Sequence, residues 1–271
     1  MIGNQAEHWN QIASKWNKQS YTNKIIAEHK RNTYLRLIKE WANLASAHRI
    51  LKTDLFAEAF GPEQFLFYLA QDTGSIVGID ISYEVVLRAM RQAANNNVDP
   101  GLYLCGDVRA LPFQDGSFDL IISDSTLDHF PTEIDIINSL KELWRVLVAG
   151  GSLILTIDNK SHLTYPPYVI ISLSMKLGLL PYFVGRTLSS SKLTRVLEDI
   201  GFDVERKTAV FHYPHPDALV RWSESTLRKI SRGKLDNIIR KGLACLDRME
   251  GKRLQYLTGR YLAVKAVKKK I

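Results

Sequence analysis

No glycine stands between Arg49 and Phe60, although RILKTDLFAEAFG starts as a buried strand should and VGIDIS follows soon after. A nucleotide-binding sheet commonly places a glycine-rich turn there. The chain has no GxGxxG directly after a strand, which argues against a nicotinamide-dependent oxidoreductase. Cysteine is scarce too. Cys105 and Cys245 lie far apart, without CxxC spacing or a histidine cluster beside them, so neither a disulfide framework nor a zinc site is expected, and a reducing compartment suits the chain. The opening MIGNQAEHWNQ lacks the apolar core of a signal peptide, so the expected location is the cytoplasm.

The 271 residues carry a net charge of +8. A basic balance admits nucleic acid, an anionic membrane surface or a phosphorylated substrate, and equally a plain solvated surface. The excess is uneven: basic residues outnumber acidic ones from Arg221 to Arg253, and Lys268, Lys269 and Lys270 close the chain.

Short runs rich in branched apolar residues recur at 49–51, 75–79, 102–105, 118–123, 152–157, 202–210 and 260–267. Helical patterns separate several of them. Ser82 is placed to cap a helix carrying Val85, Val86, Ala89, Met90 and Ala93. Ile136, Ile137, Leu140, Leu143, Trp144 and Leu147 form a second stripe, with Gly150 and Gly151 as its expected stop, and Gly201 ends a third. This alternation predicts an α/β fold built on a doubly wound sheet.

Ligands of such sheets bind beyond the carboxyl ends of the strands. Four successive strands are followed by carboxylates there: Asp54 beside Thr53, then Asp80, Asp107, and Asp124 beside Ser123. Each alone serves equally well as a helix cap or turn residue. Together they form a cluster of like charges that a ligand rich in hydroxyls, amines or positive charge relieves.

VGIDIS, CGDVRALPFQDGSFDLIISDSTLDHF, LKELWRVLVAGGSLILTIDN and SSSKLTRVLEDIGFDV, in this order, resemble the class I S-adenosylmethionine-dependent methyltransferases, in the group of the quinone and sterol C-methyltransferases. The resemblance implies a mostly parallel seven-stranded Rossmann-like sheet with helical lid insertions and S-adenosylmethionine as cofactor. It implies that Asp80 takes the ribose hydroxyls with Ile81 against the adenine, that Asp107 and the Val108 backbone meet the adenine edge, and that Ser123 and Asp124 lie near the methionine and sulfonium. The family usually carries an acid and two or three glycines in the first loop, where this chain has Lys52, Thr53, Asp54, Leu55 and Phe56. Asp54 is then the expected displaced carboxylate and Thr53 a hydroxyl donor. Bulky Leu55 and Phe56 require the loop to bulge or the cofactor to sit differently.

By the same resemblance, residues 1–48 form an N-terminal helical lid, with Tyr21 against the cofactor, and 49–271 form the core. Two inserts interrupt that core: 159–188, an apolar lid too short to span a bilayer, and 212–253, basic and helical. The acceptor expected from the first insert is a small apolar or lipid-like molecule, with plain packing and peripheral membrane contact as alternatives. Asp128 and His129 are the candidate proton acceptors, His162 the next, and no metal is expected because the sulfonium is already activated. Nucleic acid is disfavoured, since SDSTLDHF stands where an NPPY-like sequence would. The competing reading is an inactive methyltransferase-fold protein kept as a binding scaffold.

Overall fold

The computed structural model describes residues 5–16, 24–70, 73, 75–99, 102–177, 184–213 and 232–270. Seven strands among them form one sheet: β1 (Arg49–Thr53), β2 (Ser75–Asp80), β3 (Leu102–Cys105), β4 (Phe118–Asp124), β5 (Leu147–Asp158), β6 (Phe202–Val210) and β7 (Tyr261–Lys268). Their order is β3-β2-β1-β4-β5-β7-β6. The first five run parallel, and β7 enters antiparallel between β5 and β6.

The central strands β4 and β5 are largely apolar and buried because the parallel part of the sheet is covered on both faces. Alternate residues point to opposite sides. Ile50, Leu120, Ile122 and Ile154 join a core with α2 (Lys24–Trp41), α4 (Phe65–Leu69) and α5 (Tyr83–Asn95). Leu51, Ile121, Leu153 and Leu155 join another with α6 (Glu133–Val146) and α8 (Ser190–Ile200). The other α-helices among the described residues are α1 (Gln5–Lys15), α3 (Phe56–Phe60), α7 (Tyr168–Lys176), α9 (Arg232–Leu246) and α10 (Gln255–Thr258).

Local signals act as their chemistry dictates. Ser82 accepts from the Val85 N–H to open α5, and Gly201 closes α8 in the left-handed region. One expectation is corrected: Gly150 and Gly151 do not stop a helix. Helix α6 ends at Val146 because Leu147 already pairs with Phe118 as the start of β5, and the two glycines lie within that strand. Gly150 has a φ of +79° beside a register irregularity between β4 and β5.

The N-terminal segment does two different things. Helix α2 buries seven residues and packs as a structural layer. Helix α1 buries only Ala13 and is fastened across the strand ends, with Asn10 Oδ1 accepting from the Ser82 hydroxyl at 2.6 Å. Tyr21 and residues 178–183 and 214–231, parts of the expected lid and inserts, lie outside the described residues. Among the described residues no helix is long and apolar enough to cross a membrane.

Candidate active site

The loop after β1 explains how the chain manages without glycine. Asp54 adopts a φ of +74°, a left-handed conformation that aspartate tolerates better than most residues. Its Oδ1 accepts from the Phe56 N–H at 2.8 Å, closing an Asx turn at the entry to α3. Leu55 turns its side chain away from the strand ends and is fully buried. It occupies the space over Gly78, where a Cβ would come within 2.8 Å of the leucine Cδ2. Phe56 faces the other way, into the cavity, with Trp16 edge-on at 5.4 Å.

Lys52, where the sequence resemblance leads to the expectation of an acid, is buried. Its ammonium lies 3.0 Å from Glu58, donates to the Asp54 carbonyl and sits 4.8 Å over the Phe65 ring. Burial alone would lower its pKa, but Glu58, Asp54 and Asp124 more than reverse this and leave it raised. The other Glu58 oxygen accepts from the Leu66 N–H. The loop is thus folded around an internal ion pair.

Above it lies a cavity of about 280 Å³, at the carboxyl ends of β1, β2, β4 and β5. The four expected carboxylates, Asp54, Asp80, Asp107 and Asp124, all border it. Thr53, Ile81 and Val108 border it as well, as do Asp128 and His129. Ser123 does not: its side chain is buried beneath the floor and accepts from the Thr53 hydroxyl at 2.9 Å. His162 is likewise absent from the lining, and its Nδ1 pairs with the Thr164 hydroxyl.

Backbone groups hold the carboxylates at one end. Asp80 accepts from the Leu55 N–H at 2.9 Å on one oxygen and from the Ser82 N–H at 2.8 Å on the other. Each oxygen retains a lone pair, so a vicinal diol remains within the group's accepting capacity. Burial pushes the Asp80 carboxyl up to about 6, against the opposing effect of those two bonds. Asp54 is raised well above its usual range, by burial first and by Asp80 second. Asp107 is clamped by Arg109, whose guanidinium also reaches Asp135.

The other end is built from side chains that sequence reading did not single out. Asp158, at the end of β5, borders the cavity together with Lys30 of α2, Arg260 and Tyr261. Its backbone N–H donates to Asp128 Oδ2 at 2.7 Å, and the Ser125 hydroxyl donates to the same oxygen. Asp128 Oδ1 is buried with no hydrogen-bond partner among the described residues. Burial, and then Asp128, push the Asp158 carboxyl up to about 7, while Arg260 and Lys30 pull it down. The rule that located the other four, a carboxylate just past a strand, also finds Asp158 in the sequence. No comparable signal marks Lys30 or Arg260.

Helix α1 roofs the cavity. Trp9 stands edge-on to His129 at 5.0 Å, and Gln5 donates to the His129 carbonyl. The wall is closed by Gly185, where a Cβ would lie 2.3 Å from the Asp128 carbonyl oxygen, and the neighbouring Val184 lines the cavity.

Residues 58–155 match the family described as methyltransferase domain. The demethylmenaquinone methyltransferase of Lactococcus lactis is 33% identical over 99 residues, covering 35% of this chain and 36% of that protein. An uncharacterized methyltransferase of Synechocystis is 31% identical over 149 residues, 54% and 65% of the two chains. The chain thus spans from about a third to under two thirds of the length of these relatives. Among solved structures, Haemonchus contortus phosphoethanolamine N-methyltransferase 2 with S-adenosylhomocysteine superposes with a TM-score of 0.58 at 17% identity, covering 97% of this chain and 61% of that one. The [4+2]-cyclase SpnF gives 0.57 at 16%, covering 97% and 92%. Over residues 58–155 the chain is thus similar to methyltransferase domains, and its seven-stranded sheet has the fold of the solved methyltransferase structures.

Proposed function

We propose that this protein binds S-adenosylmethionine along the Asp80–Asp107 side of the cavity and transfers its methyl group to a small-molecule acceptor held on the Asp158 side. The observation that carries the reading is the row of buried carboxylates at the strand ends, with Asp80 fixed by two backbone N–H groups yet able to accept further bonds. Asp80 would take the ribose hydroxyls, with Ile81 beside the adenine, and Asp107 and Val108 would meet the adenine edge. Thr53, Asp54 and Asp124 would border the methionine part, where a cation offsets the repulsion that adds to burial in raising the Asp54 carboxyl. Phe56, Trp9 and Trp16 would exclude water. Tyr21 keeps its role as a proposed contact.

The sulfonium supplies an activated methyl group, so the protein's task is chiefly to align the acceptor in line with the departing sulfur. An acceptor that holds its proton at neutral pH also needs a base. Asp128 and His129 border the cavity, but Asp128 Oδ2 already accepts two bonds. Asp158, raised to about 7 and open to the cavity, is better matched to that task. The name of the Lactococcus relative supports a quinone-like, partly apolar acceptor, and a cytoplasmic location fits the two unpaired cysteines.

A second reading rests on the loop without glycine and on a cyclase sharing the fold: the site holds a ligand without methyl transfer. Calorimetric titration of wild type and Asp80→Ala with S-adenosylmethionine and S-adenosylhomocysteine separates these. Micromolar binding lost in the variant supports the cofactor site. No binding by wild type overturns it. Binding without turnover on reduced quinones favours the second reading.

A further inference from the structure

Helix α7 is apolar on both sides. At 100° per residue, Tyr168, Ile171 and Met175 fall on one side, Val169, Ile170, Leu173 and Leu177 on the other. The first set faces the protein: Ile171 is buried, and Arg186 stacks on the Tyr168 ring at 3.5 Å. The second set faces outward, with Val169 78% exposed and Leu177 63%. Single exposed apolar residues need no explanation, but a contiguous group does.

The group extends beyond the helix. Leu163 is 81% exposed and its N–H donates to the Leu257 carbonyl at 2.9 Å, which sets it beside exposed Leu254 and Leu257. The charge around this apolar strip is predominantly positive, with Glu133 near Lys160 already paired to Lys192. Lys160, Lys176, Lys252 and Arg253 are exposed at its margins, and neither 159–177 nor 251–260 contains an aspartate or glutamate. Glu250, the nearest acid in sequence, is engaged by Arg36 at 2.6 Å.

We infer that this strip is a docking surface for an anionic lipid bilayer, with the outer face of α7 and Leu163, Leu254 and Leu257 entering the acyl boundary and the four basic side chains meeting phosphate headgroups. A short helix with apolar residues outward and an excess of cations beside them matches an anionic interface, since burial supplies adhesion and each nearby cation adds attraction to anionic lipid. A predominantly basic margin favours anionic headgroups over a protein partner of mixed charge. The strip also adjoins the cavity: the Val184 N–H donates to Met175 Sδ of α7 at 3.3 Å, and Val184 is part of the lining. If the proposed methyl transfer holds, an acceptor dissolved in the bilayer would meet the cavity on this side.

The test is co-sedimentation of the full chain with vesicles of pure phosphatidylcholine and of phosphatidylcholine with 30% phosphatidylglycerol, about, at two salt concentrations. Wild type should sediment with the anionic vesicles, and several-fold less with neutral ones or at high salt. Ile170→Glu/Leu173→Glu and Lys252→Glu/Arg253→Glu should each reduce binding roughly ten-fold. S-adenosylmethionine titration of the same variants should match wild type, because none of these residues borders the cavity; this readout reports on the cofactor site independently of the membrane. No sedimentation of wild type, or equal sedimentation of the Ile170→Glu/Leu173→Glu variant, overturns the proposal. So does a wild-type dimer in light scattering that this variant abolishes, since the strip would then pair two copies.

Discussion

The two ends of the cavity are held by different physics. At the Asp80 end, backbone N–H groups of Leu55 and Ser82 fix the carboxylate, so its position depends on the path of the main chain. At the Asp158 end, the chain supplies charges from α2, from the loop before β7 and from two strand ends, and their balance sets the state of each group. The first arrangement suits a ligand whose shape does not vary. The second suits one whose proton must move, because a carboxylate near neutrality changes charge with little driving force.

The sharpest way to break this contrast is Asp80→Ala. It leaves two backbone donors without their acceptor and removes both proposed ribose bonds, so S-adenosylmethionine affinity should fall more than about 100-fold, roughly 3 kcal/mol, by calorimetry. A change below five-fold would mean that the main-chain end does not hold the cofactor.

Next comes the ion pair under the first loop. Glu58→Gln strands the buried Lys52 ammonium and should lower stability by about 3 kcal/mol in urea unfolding, whereas Lys52→Met/Glu58→Met should recover most of the loss. Equal losses in both would show that shape, not charge, supports the loop.

The Asp158 end answers to pH. Its carboxyl is raised from 3.8 to about 7 in the fold, so the native state holds its proton more tightly than the unfolded chain. Stability is therefore lost as pH rises through that window and is not lost below it. Asp158→Asn removes the penalty: the variant should exceed wild type at pH 8 by on the order of 1–2 kcal/mol and match it near pH 4, in thermal or urea unfolding. An unchanged difference across pH would dismiss the charge-balance description.

The smallest effect is expected at Asp54. Asp54→Gly keeps the positive φ and loses the turn bond to the Phe56 N–H, while Asp54→Ala loses that bond and strains the backbone, so alanine should be the less stable by about 1 kcal/mol. A reversed order would mean that the freedom glycine adds to the unfolded chain outweighs the backbone strain it relieves.

Much of the frame was legible. Each strand announced itself by a branched apolar run, because both faces of a parallel sheet are buried, and four of the five strand-end carboxylates followed from position alone. The strand at Leu147 was hidden because VLVAGG resembles a helix end, while its pairing with Phe118 is long-range. Lys30 and Arg260 were hidden for the same reason: they approach the site only through packing of α2 and through the antiparallel β7. Ser123 was placed in the site from its position after β4, but strand alternation turns it beneath the floor, toward Thr53.

The leucine over Gly78 carries a historical consequence. A Cβ at that glycine would also meet Tyr103 at 2.9 Å, so the vacancy in β2 is shared by two large neighbours. A loop with Leu55 can arise only in a chain that already keeps residue 78 bare, and a side chain at 78 can return only after Leu55 has shrunk. The two positions are therefore expected to change together among descendants of this chain, and a family-typical glycine loop grafted alone onto it would leave a hole where the leucine had been.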